Sequence, residues 1–398
     1  MKILINLHYI ISGVFFVFLI KCISIFIEIK IGSMSRKGRE SILISSLEPY
    51  LRELNQKKNH KQITLVIDQD GSHMNQALVS MYARRVSYID MKKPFICRAL
   101  YFACLILGEK SVNTINFSSR FGDDDRHLWE KCSPSIAFNK DEILSGKSLI
   151  SDLSIDDYFC FGIRDDSYYQ SILQRSKNSK IYNLEASKDT YFRNPSWEKY
   201  INVANSLASK DLRGLRMGKD VTSISDNLMG NNILDYSKIR DDFGDMYLLT
   251  HCKFLISGAS GIFWFANLFN IPTLVADHYN VFCRGGGVSR NDLFIPSLIY
   301  SRNEKRLLFL SEMIDIGPNY TSSFFDKHNL ELIKNDESEI YDGAKELESF
   351  TNKTRIRDDK AIYLNNKLDL IYKSKVTGMT YGGRIPDSFM IKYEKLIK

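Results

Sequence analysis

Between residues 156 and 279 short apolar runs alternate with helix-patterned stretches, and the connections are mostly a few residues long. The runs rich in aromatic and branched side chains are 158–163 (YFCFGI), 212–217, 232–236, 254–257 and 272–276. The helical stretches are 196–210, 241–252 and 261–270. Asn194-Pro195 supplies a cap and first-turn pair before one helix, and Asp241 and Asp242 sit at the positive end of the dipole of another. A chain that alternates strand and helix with short links points to a parallel, doubly wound sheet, with helices covering both faces of the strands.

Residues 1–150 carry a weaker version of the same pattern. Residues 26–31 (FIEIKI) and 63–67 (ITLVI) read as strands, 74–86 as a helix, and 96–107 as a strongly apolar helix or core segment. Residues 113–125 are polar and loop-like, and the tail from 331 to 398 is mostly helical, interrupted at 378–386. At 398 residues the chain exceeds one ordinary core and points to about two domains. A net charge of +7 favours anionic ligands or an anionic membrane surface, and no nucleic-acid-binding motif is present. None of the seven cysteines is in CxxC spacing, which argues against a zinc site or a disulfide framework and for a reducing, cytoplasmic setting.

Residues 10–29 are nearly all apolar, interrupted by Ser12, Gly13, Lys21, Ser24 and Glu28. That length is at the border for a membrane span, and Lys21 would cost roughly 3 kcal/mol at the centre of one unless it reached the interface. No small-residue cleavage site follows, and Lys30, Arg36, Lys37 and Arg39 lie after the run, which would keep the bulk of the chain on the cytoplasmic side. The segment is taken as a membrane-associated helix; the alternative is a buried helix leading into the next strand.

Ligands of open parallel sheets bind beyond the carboxyl ends of the strands. Here those ends carry Arg164 and Asp165, Arg216 and Gly218, Asp235, and the turn Ser257-Gly258-Ala259-Ser260-Gly261. Guanidinium groups offer planar paired donors to phosphate, and small turn residues let a ligand approach the backbone. The turn is neither a GxGxxG fingerprint nor a P-loop. Asp68, Asp70 and His73 follow the 63–67 strand and are the candidates for a general base, since a carboxylate or imidazole at a strand end can take a proton. Gly122-Asp123-Asp124-Asp125 imitates a metal-binding DxD motif but lies in a polar loop, so no metal is assigned to it.

The runs FGIRDDSYY (161–169), YFRNPSWEKYINV (191–203), LRMG (215–218) and NILDYSKIRDDFGDMYLLTHCKFLISGASG (232–261) resemble a bacterial family of glycosyltransferases associated with surface polysaccharide synthesis. The match covers about residues 156–277, with a fainter echo at 32–50 and 141–146. The resemblance implies a GT-B, fucosyltransferase-like architecture: two Rossmann-like domains facing a cleft, with the nucleotide-sugar donor on the C-terminal one. It also implies metal-independent transfer with no cofactor. By the same resemblance Arg164 would meet the donor diphosphate and Arg216 would neutralise the leaving phosphate. Ser257, Gly258, Ser260 and Gly261 would cradle phosphate or ribose, with Gly218 beside them. Asp235 or Asp245 would hold ribose or base, and Arg193 would line the cleft. The sequence departs from the family at Arg36-Lys37-Gly38-Arg39, where the family tends to carry a histidine, and at Ser257-Gly258-Ala259, where it usually reads Gly-Ser first.

The expected organisation is an apolar membrane-associated helix at 1–28, an acceptor domain at 29–150, a donor domain at 151–325 and a helical tail at 326–398. The expected activity is transfer of a sugar from a nucleotide-sugar donor to a glycan or lipid-linked acceptor at the inner face of the cell membrane. The alternative is a non-catalytic nucleotide- or glycan-binding protein on the same fold.

Overall fold

The computed structural model describes residues 2–34, 43–57, 62–68, 74–115, 123–167, 170–171, 194–278, 289, 291–317, 320–376 and 383–398. The chain forms two compact units, Met1–Arg120 with Lys131–Ile143, and Phe121–Glu130 with Leu144–Lys398. It is a mixed α/β protein in which each unit is built on a parallel sheet.

Unit 1 contains helix α1 (Lys2–Ile23), strand β1 (Glu28–Met34), helix α2 (Glu48–Gln56), strand β2 (Gln62–Asp68), helix α3 (Gln76–Ala83), strand β3 (Ser87–Ile89) and helix α4 (Pro94–Leu107). The strands are parallel in the order β1-β2-β3, with Ile31 opposite Leu65. Residues 113–115 extend the sheet past β1, since the amide of Ile31 donates to the Asn113 carbonyl and that of Ile115 to the Ile31 carbonyl. α1 and α4 pack their inner faces on these strands, where Ile20, Cys97 and Leu100 are buried with Ile29, Ile31 and Ile67. A turn of π-helix, Leu43–Leu47, leads into α2. There the buried Glu48 carboxylate holds Arg52 at 2.6 Å, the Tyr82 hydroxyl at 3.0 Å and the Ser135 amide at 2.7 Å. A charge so buried persists only because each oxygen has donors.

Unit 2 begins with helices α5 (Asp123–Lys131) and α6 (Lys140–Asp152), which cross the boundary between the units, and continues with strand β4 (Tyr158–Gly162), helix α7 (Trp197–Leu207), and strands β5 (Arg213–Arg216) and β6 (Ile233–Asp235). Then come helix α8 (Asp242–His251), strand β7 (Leu255–Ser257), helix α9 (Phe263–Leu268), and strands β8 (Thr273–His278) and β9 (Leu293–Pro296). These six strands form one all-parallel sheet in the order β6-β5-β4-β7-β8-β9. Strand order reverses between β4 and β7, which are direct neighbours.

The sheet has a core on each side. Phe159 and Phe161 of β4 join Tyr200, Val203 and Ala204 of α7 and Phe254 on one face, with the Phe159 and Phe254 rings stacked at 5.3 Å. Tyr158 and Cys160 turn to the other face, with Leu248 and Leu249 of α8 and Ala266 of α9. This two-sided burial is why the strands read as continuous apolar runs instead of alternating ones. Beyond β9 the chain adds strands β10 (Leu298–Ser301), β11 (Arg306–Leu307) and β12 (Leu330–Ile333) as a small antiparallel sheet, with helices α10 (Leu310–Asp315) and α11 (Ser322–Lys327) between β11 and β12. The tail helices α12 (Glu337–Thr351), α13 (Asp359–Lys375) and α14 (Asp387–Lys392) bury Ile340, Leu347, Leu368 and Phe389 in the same core as Phe159 and Leu274.

Several expectations need correction. Asn194-Pro195 is not the cap of α7, whose N-terminal flank is Ser196 without a side-chain cap bond, and the stretch expected as loop up to 125 gives way to α5 at Asp123. The helix expected over 261–270 is only Phe263–Leu268, because Ile262 is its N-terminal flank and Asn270 adopts a left-handed φ of 59°. β3 and the strands after residue 279 were not foreseen; β3 has only three residues, too short for a periodic signal. For the apolar N-terminus, no helix among the described residues is long and apolar enough to cross a membrane.

Gly146 of α6 explains how that helix sits. A Cβ there would meet the Tyr247 ring of α8 at 2.1 Å, so the two helices approach at a glycine. We expect Gly146→Ala to lower stability by about 1–3 kcal/mol through overpacking, read as a drop in the thermal midpoint. A midpoint at or above that of the wild type would show that this close approach does not matter.

Candidate functional site

The carboxyl edge of the six-stranded sheet brings together the ends of β4, β5, β6 and β7. Its centre is a buried guanidinium. Arg216, the last residue of β5, is fully buried. Its Nη1 donates to Asp235 Oδ2 at 2.9 Å and to Ser237 Oγ at 3.1 Å, and its Nη2 donates to the Thr222 carbonyl at 2.6 Å. The guanidinium also lies over the Trp197 ring, 4.1 Å from its centroid. Burial pulls the Arg216 pKa down while Asp235 opposes that pull.

Asp165, just past the end of β4, completes the arrangement. Its Oδ2 accepts from the Thr222 amide and from the Trp197 indole N–H, both at 2.7 Å, and its Oδ1 accepts from the Ser167 amide at 3.0 Å. Thr222 is thus held by its amide to Asp165 and by its carbonyl to Arg216, while Trp197 is bound at its edge by one and on its face by the other. The loop after β5 therefore folds back over the strand ends. Gly218 opens that loop at φ +150°, and a Cβ there would meet Val221 at 2.6 Å.

The turn 257–261 lies on the other side of the strand-order reversal. Ser257 is buried; its Oγ donates to the Gly258 carbonyl at 2.8 Å and lies 3.1 Å from Ser260 Oγ. Gly258 is pressed against the β4 side, for a Cβ there would come within 3.1 Å of Pro195 and 3.4 Å of Ile163. Gly261 is exposed, and a Cβ on it would meet nothing within 4 Å. Arg164 follows β4 on the same edge and is half-buried. A cavity of about 10 Å3 lined by Asn267, Pro272, Ser289 and Asp292 lies at the opposite, amino edge, with room for no more than a water molecule.

Of the residues singled out from the sequence, the structure joins Arg216 directly to Asp235, and Ser257 directly to Ser260. Asp245 is not part of that group. It lies in the first turn of α8 and is paired with Arg240, whose Nε donates to it at 2.7 Å, and burial pushes its carboxyl up to about 6. Asp68, at the end of β2 in unit 1, is only 1% exposed and accepts a hydrogen bond from the Tyr88 hydroxyl. Its backbone carbonyl accepts from Cys97 Sγ at 3.3 Å, and burial pushes that thiol up to about 11. Asp70, His73, Arg193, the segment 36–39, Gly122 and the side chains of Asp123, Asp124 and Asp125 lie outside the described residues. Among the described residues no three His, Cys, Asp or Glu side chains converge as metal ligands. Sequence reasoning missed Trp197, Thr222 and Ser237, since their roles depend on where the loop returns.

No protein-family model matches the chain, and no curated protein matches it in sequence. Its fold is similar to that of a glycosyl transferase family 9 protein from Veillonella parvula DSM 2008, at 10% identity and a TM-score of 0.41, over 68% of this chain and 87% of that one. It is similar also to the E. coli ADP-heptose lps heptosyltransferase II, at 10% identity and a TM-score of 0.33, over 73% and 96%. A third similar structure is an E. coli heptosyltransferase with ADP, at 10% identity and a TM-score of 0.33, over 76% and 98%.

The clamp makes a stability prediction. Arg216→Ala leaves the Asp235 carboxylate buried without its cation and should cost about 3–5 kcal/mol. Arg216→Ala therefore cannot serve to remove a phosphate contact from an otherwise intact fold. Asp165→Asn should cost about 2 kcal/mol, because an amide nitrogen then faces N–H donors. Denaturant midpoints measure both, and wild-type midpoints would mean that the network is incidental.

Proposed function

We propose that the protein is a glycosyltransferase that takes its sugar from a nucleotide-sugar donor. The observation that carries the reading is the place of the turn 257–261. It follows β7 at the strand-order reversal of an all-parallel sheet, where such sheets bind nucleotides. The ordered motifs around Arg164, Arg216 and Ser257, which resemble those of bacterial glycosyltransferases, turn that general expectation towards a sugar-nucleotide diphosphate.

In this reading Ser260, Gly261 and Arg164 face the diphosphate. Gly261 leaves open space, and Ser260 is partly exposed with its hydroxyl positioned by Ser257. Arg216 and Asp235 act from behind. They hold the 218–222 loop and Trp197 in place, so the donor meets a preformed edge. Preorganised donors of this kind stabilise charge as it develops on the leaving phosphate, and we assign that task to side chains and backbone, without a metal. The base that activates the acceptor hydroxyl is assigned to the end of β2, with Asp70 or His73 preferred over Asp68, which is buried and hydrogen-bonded to Tyr88. The acceptor is proposed to be a glycan or a lipid-linked saccharide of the cell surface.

The test is a thermal-shift screen against ADP-, UDP-, GDP-, CMP- and dTDP-sugars. A donor at 100 times its Kd should add about 2.7 kcal/mol of stability. Gly261→Asp places a carboxylate where no atom blocks it. It should leave the unliganded midpoint within about 0.5 kcal/mol, as surface changes usually do, and abolish the donor-induced shift. No shift with any donor, or an unchanged shift in Gly261→Asp, would count against the reading.

A further inference from the structure

A surface helix of a water-soluble domain carries its charges on its outer face. α1 and α4 do not. Their inner faces are spent on the strands of unit 1, through Ile20, Cys97 and Leu100. The two helices also nearly touch, because a Cβ on Gly13 would come within 2.8 Å of Phe102 Cβ, and the His8 and Phe95 rings lie 5.3 Å apart. The outer faces that remain expose Ile11, Phe15 and Phe18 on α1 and Phe95, Leu105 and Ile106 on α4. The turn from α1 into β1 adds Ile25 and Phe26, which are 76% and 84% exposed. Two large apolar side chains at the tip of a turn, continuous with an apolar helical layer, need a covering medium.

The bordering charges select it. Residues 2–27 contain no aspartate or glutamate. Lys21 is exposed on α1, Lys92 and Lys93 are exposed at the start of α4, and Arg98 is exposed one turn further on, over the Tyr9 ring. The acidic groups on the border are Glu28, paired with Lys30 at 3.0 Å, Asp90, 3.9 Å from Lys92, and Glu109 beside Lys110, so the border is cationic on balance. Two copies of such a surface would bring like charges together, whereas an anionic lipid surface would meet apolar and cationic groups at the same level. No helix among the described residues is long and apolar enough to cross a membrane, and α1 is packed along one side. We propose that α1, α4 and the turn at Ile25 and Phe26 form a docking face that lies in the plane of an anionic bilayer, with those two side chains inserted below the headgroups. This does not depend on the donor reading.

The test uses the full chain in flotation with vesicles of phosphatidylcholine alone and of phosphatidylcholine mixed with phosphatidylglycerol. The protein should float with the mixed vesicles and less with the neutral ones, and added salt should weaken the binding. Ile25→Ser with Phe26→Ser should cut partitioning roughly 10-fold or more, as expected when two large apolar side chains leave the interface. Lys92→Glu with Lys93→Glu should reduce binding to the mixed vesicles while leaving the neutral-vesicle level unchanged. Thermal midpoints equal to that of the wild type identify loss of binding as loss of contact; if the Ile25/Phe26 variant does not fold, the lysine variant decides. Flotation with neither vesicle, or wild-type flotation by the folded variants, would overturn the proposal. So would a dimer in light scattering that the Ile25/Phe26 variant dissolves, since the face would then belong to a second copy. Sugar transfer is not needed for any of these readings, so the docking face and the transferase reading stand or fall separately.

Discussion

The carboxyl edge of the larger sheet depends on one buried cation. Arg216 at the end of β5 is out of water, and a guanidinium there must be met by acceptors and a counter-charge. Asp235 supplies the charge, the Thr222 carbonyl and Ser237 hydroxyl supply further oxygen, and the Trp197 ring covers one face. Because Asp165 then takes the Thr222 amide and the Trp197 N–H, the ends of β4, β5 and β6, the following loop and the start of α7 are joined in one network. The turn 257–261 and Arg164 lie on that edge outside this network, and they are the groups proposed to meet a ligand. The rigid part and the receptive part of the edge are therefore different residues.

The sequence made the sheet of unit 2 readable because strands buried on both faces leave unbroken apolar runs, as in YFCFGI. Its ends were readable too, since a polar residue must mark the exit of such a strand. Asp241 and Asp242 at the positive end of a helix dipole were equally local, and the structure shows in addition that Asp241 caps α8, its side chain accepting from the Gly244 amide at 2.6 Å. The use of each strand-end residue was not legible. Arg216 and Arg164 look alike in sequence, yet the first is fully buried and the second half-exposed. That difference comes from the loop 218–222 folding back on itself, a tertiary event with no periodic signature. The same holds for Asp245, whose partner Arg240 is five residues away but whose burial depends on the packing of α8.

The N-terminal segment shows the complementary case. Its apolar character was plain from residues 10–29, but a buried helix and a membrane-associated one give the same composition. Packing separates the two halves of the problem: one side of α1 is a core face against β1 and α4, and the other is a largely apolar surface on a helix that contains no aspartate or glutamate.

The central claim is that a nucleotide-sugar diphosphate sits at the carboxyl edge of the β4–β7 pair. A crystal structure of the chain with a bound nucleotide-sugar tests it most directly. The account predicts the diphosphate beside Ser260, Gly261 and Arg164, with Arg216 still paired to Asp235 beneath it. A diphosphate bound elsewhere, or an Arg216 that leaves Asp235 to reach the phosphates, would contradict it.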